Sequence, residues 1–132
     1  MKNLANKVQQ ASCIVIKIGS ALLVDADTGR VRSHWIESLA KDIALLKSDG
    51  KQVVLVSSGS IAIGREILNL ASNMIKLEEK QAAAAVGQGK LVQLWAHYLA
   101  QHKITAAQIL LAPDDTETRR RHLNARADRK SG

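Results

Sequence analysis

Residues 12–20 read Ser12-Cys13-Ile14-Val15-Ile16-Lys17-Ile18-Gly19-Ser20, and residues 52–60 read Gln52-Val53-Val54-Leu55-Val56-Ser57-Ser58-Gly59-Ser60. Each is a short, β-branched, nearly continuous apolar run that stops at a glycine-containing turn. Such runs predict strands buried on both faces, as in a parallel sheet. Between them, Ile36, Leu39, Ile43 and Leu46 recur at three- and four-residue spacing. This predicts a helix over 33–49, with Ser33 capping its start and Gly50 accepting the left-handed conformation at its end. A second helix is expected from Ser60 to about Asn69. Strand, helix, strand, helix with tight joints implies a right-handed crossover and an α/β fold.

Further along, Leu70 to Leu77 reads as a connector, and an Ala-rich helical stretch runs from Glu78 to His102. It contains Gly87 and Gly89, which cost a helix roughly 1 kcal/mol each relative to Ala. Close backbone packing, or a break into two helices, explains them better than ligand contact. Their G-x-G does not follow a strand and is not a dinucleotide fingerprint. Ile104 to Leu111 reads as a third strand stopped by Pro113, and the charged segment 114–126 as a helix with Asp114, Asp115 and Glu117 in its first turn. The tail 127–132 carries no apolar pattern.

Composition narrows the class. The chain has 132 residues, a net charge of +7, 46% hydrophobic residues and only 2% aromatic ones. One cysteine, Cys13, excludes a disulfide framework and a multi-cysteine zinc site, and its place in the first strand predicts a buried, inert thiol. The first ten residues lack the apolar stretch of a signal peptide, and no apolar run approaches the roughly 18 residues that span a bilayer. A cytoplasmic protein with no membrane partner is expected. Positive charge is spread along the chain apart from Arg119, Arg120 and Arg121, with no aromatic residues interleaved to stack on bases, so no nucleic-acid partner is expected.

Ligands of open parallel sheets bind beyond the carboxyl ends of the strands, where both glycine turns lie. Lys17 brings an ammonium to the first turn, beside Gly19 and Ser20, and a lysine in a buried strand calls for an anionic partner. The plainer alternative is a lysine that snorkels from the strand edge. The second turn, with Ser58 and Gly59, meets a helix N-terminus suited to a carboxylate or phosphate, or to serine capping alone. Ser58 could add a hydroxyl donor there. Cationic and N–H donors at two neighbouring turns are what phosphoryl transfer needs, since negative charge must be held on the phosphoryl oxygens. His34, His97, His102 and His122 lack metal-ligand spacing, and no metal-binding residues are assigned. G-x-S-x-G and G-x-x-x-x-G-K-[ST] are both absent.

The segments IVIKIGSALL (14–23), VVLVSSGSIAIGRE (53–66), EKQAAAAVGQGKLVQLW (79–95), AQILLAPDD (107–115) and RRRHLNAR (119–126) occur in this order. As a set they resemble the amino-terminal part of the amino acid kinase family, in its branch acting on glutamate. The resemblance covers residues 12–126, leaving 1–11 as an amino-terminal extension and 127–132 as a divergent tail. It implies a three-layer αβα sandwich with a mainly parallel sheet, the carbamate kinase-like amino-terminal lobe, incomplete here. It also implies a phosphotransferase with a carboxyl acceptor: with Mg²⁺, the γ-phosphate of ATP passes to the side-chain carboxylate of L-glutamate. The product, γ-glutamyl phosphate, is committed to proline biosynthesis. By the same resemblance Lys17 is catalytic and binds ATP with Gly19 and Ser20, while Ser58, Gly59 and Asn124 bind glutamate. L-proline as a feedback inhibitor and a homo-oligomeric state are implied too.

Two departures stand out. Ala127 follows the Asn124-Ala125-Arg126 triplet, where the family has an Asp or Asn. Asp128 comes one residue late, which turns a helical side chain by roughly 100°. The family's nucleotide-binding half has no counterpart after Arg126, so the chain is expected to be a truncated product, inactive alone. The alternatives are a non-catalytic module binding glutamate or proline, and a basic interaction module using Arg119 to Arg121.

Overall fold

The structure is a computed structural model that describes residues 2–70 and 76–109. Helix α1 spans Lys2–Gln10, strand β1 Cys13–Ile18, the single-turn helix α2 Ser20–Leu23 and helix α3 Ser33–Ser48. Strand β2 spans Gln52–Ser57, helix α4 Ser60–Ile67 and helix α5 Leu77–Ala100. The two strands pair in parallel, from Cys13 opposite Gln52 to Ile18 opposite Ser57. An α/β fold with a parallel sheet is therefore present. The in-step register sets the Gly19-Ser20 turn beside the Ser58-Gly59 turn.

The core gathers Ile18, Leu23, Val24, Ile36, Ala40, Ile43, Ile63, Leu91, Trp95 and Leu99, with Ile16, Val53 and Leu55 packed against it. Helix α3 contributes the expected stripe through Ile36 and Ile43, joined by Ala40. Its start differs from expectation. Arg32 is the N-cap residue, Ser33 is already helical, and no side chain caps the end. Its finish agrees: Gly50 takes φ +80°, its N–H bonds the Lys47 carbonyl, and the Lys51 N–H bonds that of Leu46. This paired closure satisfies two otherwise orphaned carbonyls.

The sheet departs from expectation on one face. Ile14, Ile16 and Ile18 turn toward the core, but Cys13, Val15 and Lys17 alternate to the other side and are exposed, as are Gln52, Val54 and Val56. Side chains alternate with period two, and no described element covers this second face. The strands are thus buried on one side among the described residues, and Cys13 is an exposed free thiol rather than a buried one. The expected third strand is also absent from 104–109, where no ladder forms. Ile104 and Ala106 nevertheless pack against the core. The remainder of that stretch, and the expected helix over 114–126, lie outside the described residues.

Helices α4 and α5 cross at very short range. A methyl group on Gly64 would overlap the Ala83 backbone, and one on Gly87 would overlap the Ser60 carbonyl. The packing explanation therefore holds for Gly87, within one unbroken helix. The amino-terminal extension folds as α1, and the Lys51 ammonium donates to the Gln9 and Ala11 carbonyls at 2.8 and 2.7 Å. A cation there complements the helix C-terminus.

Candidate functional site

At the carboxyl ends of β1 and β2 the chain turns twice within touching distance. Ile18, 1% exposed, anchors the first turn in the core. Its carbonyl accepts two hydrogen bonds from Ser58, one from the amide at 3.1 Å and one from the hydroxyl at 3.3 Å. Gly59 takes φ +106°, and a Cβ there would lie 3.4 Å from the Ser20 Cα and 3.5 Å from its Cβ. The left-handed backbone favours glycine, while a Cβ there would make only ordinary van der Waals contact with Ser20. Around Gly19 the space a Cβ would enter is open, with nothing within 4 Å, so the backbone is approachable from outside.

Helix α4 starts directly from this junction. Gly59 is its N-cap residue and supplies no side-chain cap. The first hydrogen bond of the helix runs from the Ile63 N–H to the Gly59 carbonyl at 3.0 Å. The N–H groups of Ser60, Ile61 and Ala62 lie ahead of it, the usual state of a helix start. Serine capping is absent here, since no side chain caps the start of α4.

Lys17 stands one residue before Ile18, opposite Val56 in the register, and its side chain is exposed on the open sheet face. This corrects the expectation of a buried lysine needing an anionic partner, because period-two alternation carries it away from the core that buries Ile16 and Ile18. It remains a cation at the strand end that carries the first turn. Gly19, Ser20, Ser58 and Gly59 are brought together, with Lys17 at their border. Asn124 lies outside the described residues, as do His122, Arg119, Arg120, Arg121, Asp114 and Asp115.

A second cation near the first turn carried no sequence signal. Arg32 donates from Nε to the Ala21 carbonyl at 3.1 Å and pairs with Asp25 at 3.4 Å. It borders a hollow lined by Ala21, Leu22, Ser33, His34 and Trp35. Eleven residues of sequence separate it from the carbonyl it meets, so no local spacing announces it. Asp25 in turn accepts from the amides of Asp27 and Thr28 at 2.9 and 3.0 Å. Those bonds, led by the Thr28 amide and aided by Arg32, hold its carboxyl below the ordinary carboxylate range. Among the described residues no group of three or more His, Cys, Asp or Glu side chains could hold a metal ion. No helix among them is long and apolar enough to cross a membrane.

The profile of the "Amino acid kinase family" matches residues 12–130. The chain is 54% identical over 123 residues to a protein named glutamate 5-kinase from Gluconobacter oxydans, covering 93% of this chain and 32% of that protein. Glutamate 5-kinase from Paramagnetospirillum magneticum is 56% identical over 117 residues, covering 89% and 31%. That from Agrobacterium fabrum is 57% identical over 114 residues, covering 86% and 29%. The chain thus spans about a third of the length of the curated relatives it matches.

Proposed function

The chain belongs to the amino acid kinase family, and from that premise we propose that it supplies the glutamate- and phosphate-facing turns of an ATP-dependent glutamate 5-kinase. The reaction carries the γ-phosphate of ATP to the side-chain carboxylate of L-glutamate and gives γ-glutamyl phosphate for proline biosynthesis in the cytoplasm. One observation carries the reading: two glycine turns in contact at the carboxyl ends of parallel strands, with an uncapped helix start between them. Names of relatives more than half identical support it.

In this proposal the Lys17 ammonium, with the open backbone at Gly19 and Ser20, faces the ATP phosphates and holds the charge that builds on the transferring group. Electrostatic stabilisation of that kind needs donors fixed before the reaction. The turn at Ser58 and Gly59, with the first N–H groups of α4, takes the amino acid, and Asn124 joins it. Proximity then does much of the work, since the acceptor carboxylate and the phosphoryl group must be aligned. Mg²⁺ is proposed to arrive on the ATP phosphates, its usual mode of binding. L-proline as a feedback ligand of the amino acid turn, and association of identical chains, belong to the same proposal.

Calorimetric titration of the purified chain with L-glutamate, L-proline and ATP tests it. We expect L-glutamate and ATP to bind separately. Lys17→Met should weaken ATP by about tenfold, the order of one charge-assisted hydrogen bond, while leaving L-glutamate unchanged. Absence of binding by both ligands would overturn the proposal.

A further inference from the structure

Ser60 is the first residue of α4 and follows Ser58 and Gly59 directly in the chain. Its backbone has a close neighbour that is no part of the turn. Gly87, buried within α5, faces it at a range that leaves no room for a side chain. A Cβ on Gly87 would overlap the Ser60 carbonyl oxygen, and would lie 2.6 Å from the carbonyl carbon and 2.8 Å from the Gly64 nitrogen. Gly64 follows Ser60 by one helical turn, so Gly87 abuts the first turn of α4. Carbon atoms in favourable contact sit roughly 3.5 Å apart, so a methyl group at position 87 would drive α4 and α5 apart by about 1 Å. Close-packed interiors transmit such a strain rather than absorb it. On its other side the start of α4 has little slack. Gly59 joins it to Ser58, whose amide and hydroxyl both bond the Ile18 carbonyl beside the first turn. The β2–α4 turn is thus held from two sides, by the Ile18 carbonyl within the site and by α5 outside it.

We propose that Gly87 is a positioning residue: its lack of a side chain lets α5 fix where α4 begins, and hence how the Ser58-Gly59 turn is set against the Gly19-Ser20 turn. The inference rests on the proposed function, which puts the amino acid at one turn and the ATP phosphates at the other. Alignment of two reacting groups is sensitive to displacements of about 1 Å, the size of the shift that a methyl group at position 87 imposes. Gly89 is exposed, with open space where its Cβ would be, and sets nothing.

The test makes Gly87→Ala in the full chain on a Gly89→Ala background, whose added helix propensity offsets part of the lost stability. Amide hydrogen exchange followed by NMR reads the turn directly, without ligand. Relative to amides of the β1–β2 ladder, the Ser58 amide should exchange at least about tenfold faster than in Gly89→Ala alone, the order of one lost hydrogen bond. Calorimetry should show L-glutamate weakened by about tenfold, with ATP affinity unchanged. Ile43→Val removes packing from α3 without touching the α4–α5 crossing. It should alter neither the exchange ratio nor the L-glutamate affinity. An unchanged exchange ratio in the double variant, or L-glutamate weakened as much by Ile43→Val, overturns the inference and leaves the proposed function standing. If the double variant does not fold, native-state exchange of the wild-type chain in urea decides. There the Ser58 amide should open in one cooperative unit with the α5 amides around Gly87, and independent opening overturns the inference. No binding of L-glutamate by the wild-type chain overturns the proposed function, while the exchange ratio still judges whether Gly87 positions the turn.

Discussion

Asp25 shows how a single loop residue acquires a measurable signature. Its Oδ1 accepts from the Asp27 and Thr28 amides, and its Oδ2 faces Arg32. These contacts favour the ionised carboxyl and hold its pKa below the unfolded value of about 3.9. A depressed folded pKa stabilises the protein at pH values above the unfolded pKa. That stability is lost as pH falls through the folded pKa. We expect Asp25→Asn to melt at a lower temperature than wild type at pH 7, with the gap closing in strong acid. A gap of equal size at both ends of the range would contradict this. Salt should narrow it only slightly, because backbone amides outrank the exposed Arg32 as the cause. The loop was legible in Asp25, Asp27 and Gly29, but the ion pair was not, since it depends on where α3 begins. Lys17 carries the same lesson in reverse. Its position at a strand end was legible, whereas the face it occupies required knowing which side of the sheet is covered.

Among the elements, α5 contains a matched pair of glycines with opposite consequences. Gly87 is buried, and a methyl group there meets the Ser60 carbonyl of α4. Gly89 is exposed, and a methyl group there meets nothing within 4 Å. Gly87→Ala should destabilise the chain by about 1–3 kcal/mol through overpacking. Gly89→Ala should stabilise it by about 1 kcal/mol through helix propensity. Chemical denaturation of both variants checks the pair, and changes of the same sign would refute the assignment. Sequence alone treats the two residues alike, because only the crossing with α4 distinguishes them. Helix ends were legible to differing degrees for a similar reason. The closure after α3 uses Gly50, whose freedom in the left-handed region is written in the sequence. The same closures after α4 and α5 place Asn69 at φ 55° and Lys103 at φ 59°. The N–H of Leu70 then bonds Arg65 and that of Ile104 bonds Leu99. Lysine has no preference for that conformation. Packing of Ile104 onto the core is the feature that accompanies the stop.

At the scale of the molecule, the sheet face that no described element covers is expected to govern solution behaviour. Val15, Val54 and Val56 are 63%, 47% and 48% exposed on neighbouring strands, a contiguous apolar surface. Surfaces of this kind drive association. We expect the purified chain to self-associate with rising concentration in sedimentation velocity, and Val54→Lys to reduce that association while leaving the melting temperature within a few degrees. A wild-type chain that stays monomeric at all concentrations would contradict this. The sequence by itself determined the α/β class, the two strands, the α3 stripe and the two glycine turns. Those follow from local periodicity and backbone preference, which need no partner. Tertiary structure decided which face of each strand is buried, which glycine is a packing residue, and that the two turns meet through the Ile18 carbonyl. Each of these depends on contacts between residues some tens of positions apart in the chain, where local sequence carries no physical signal.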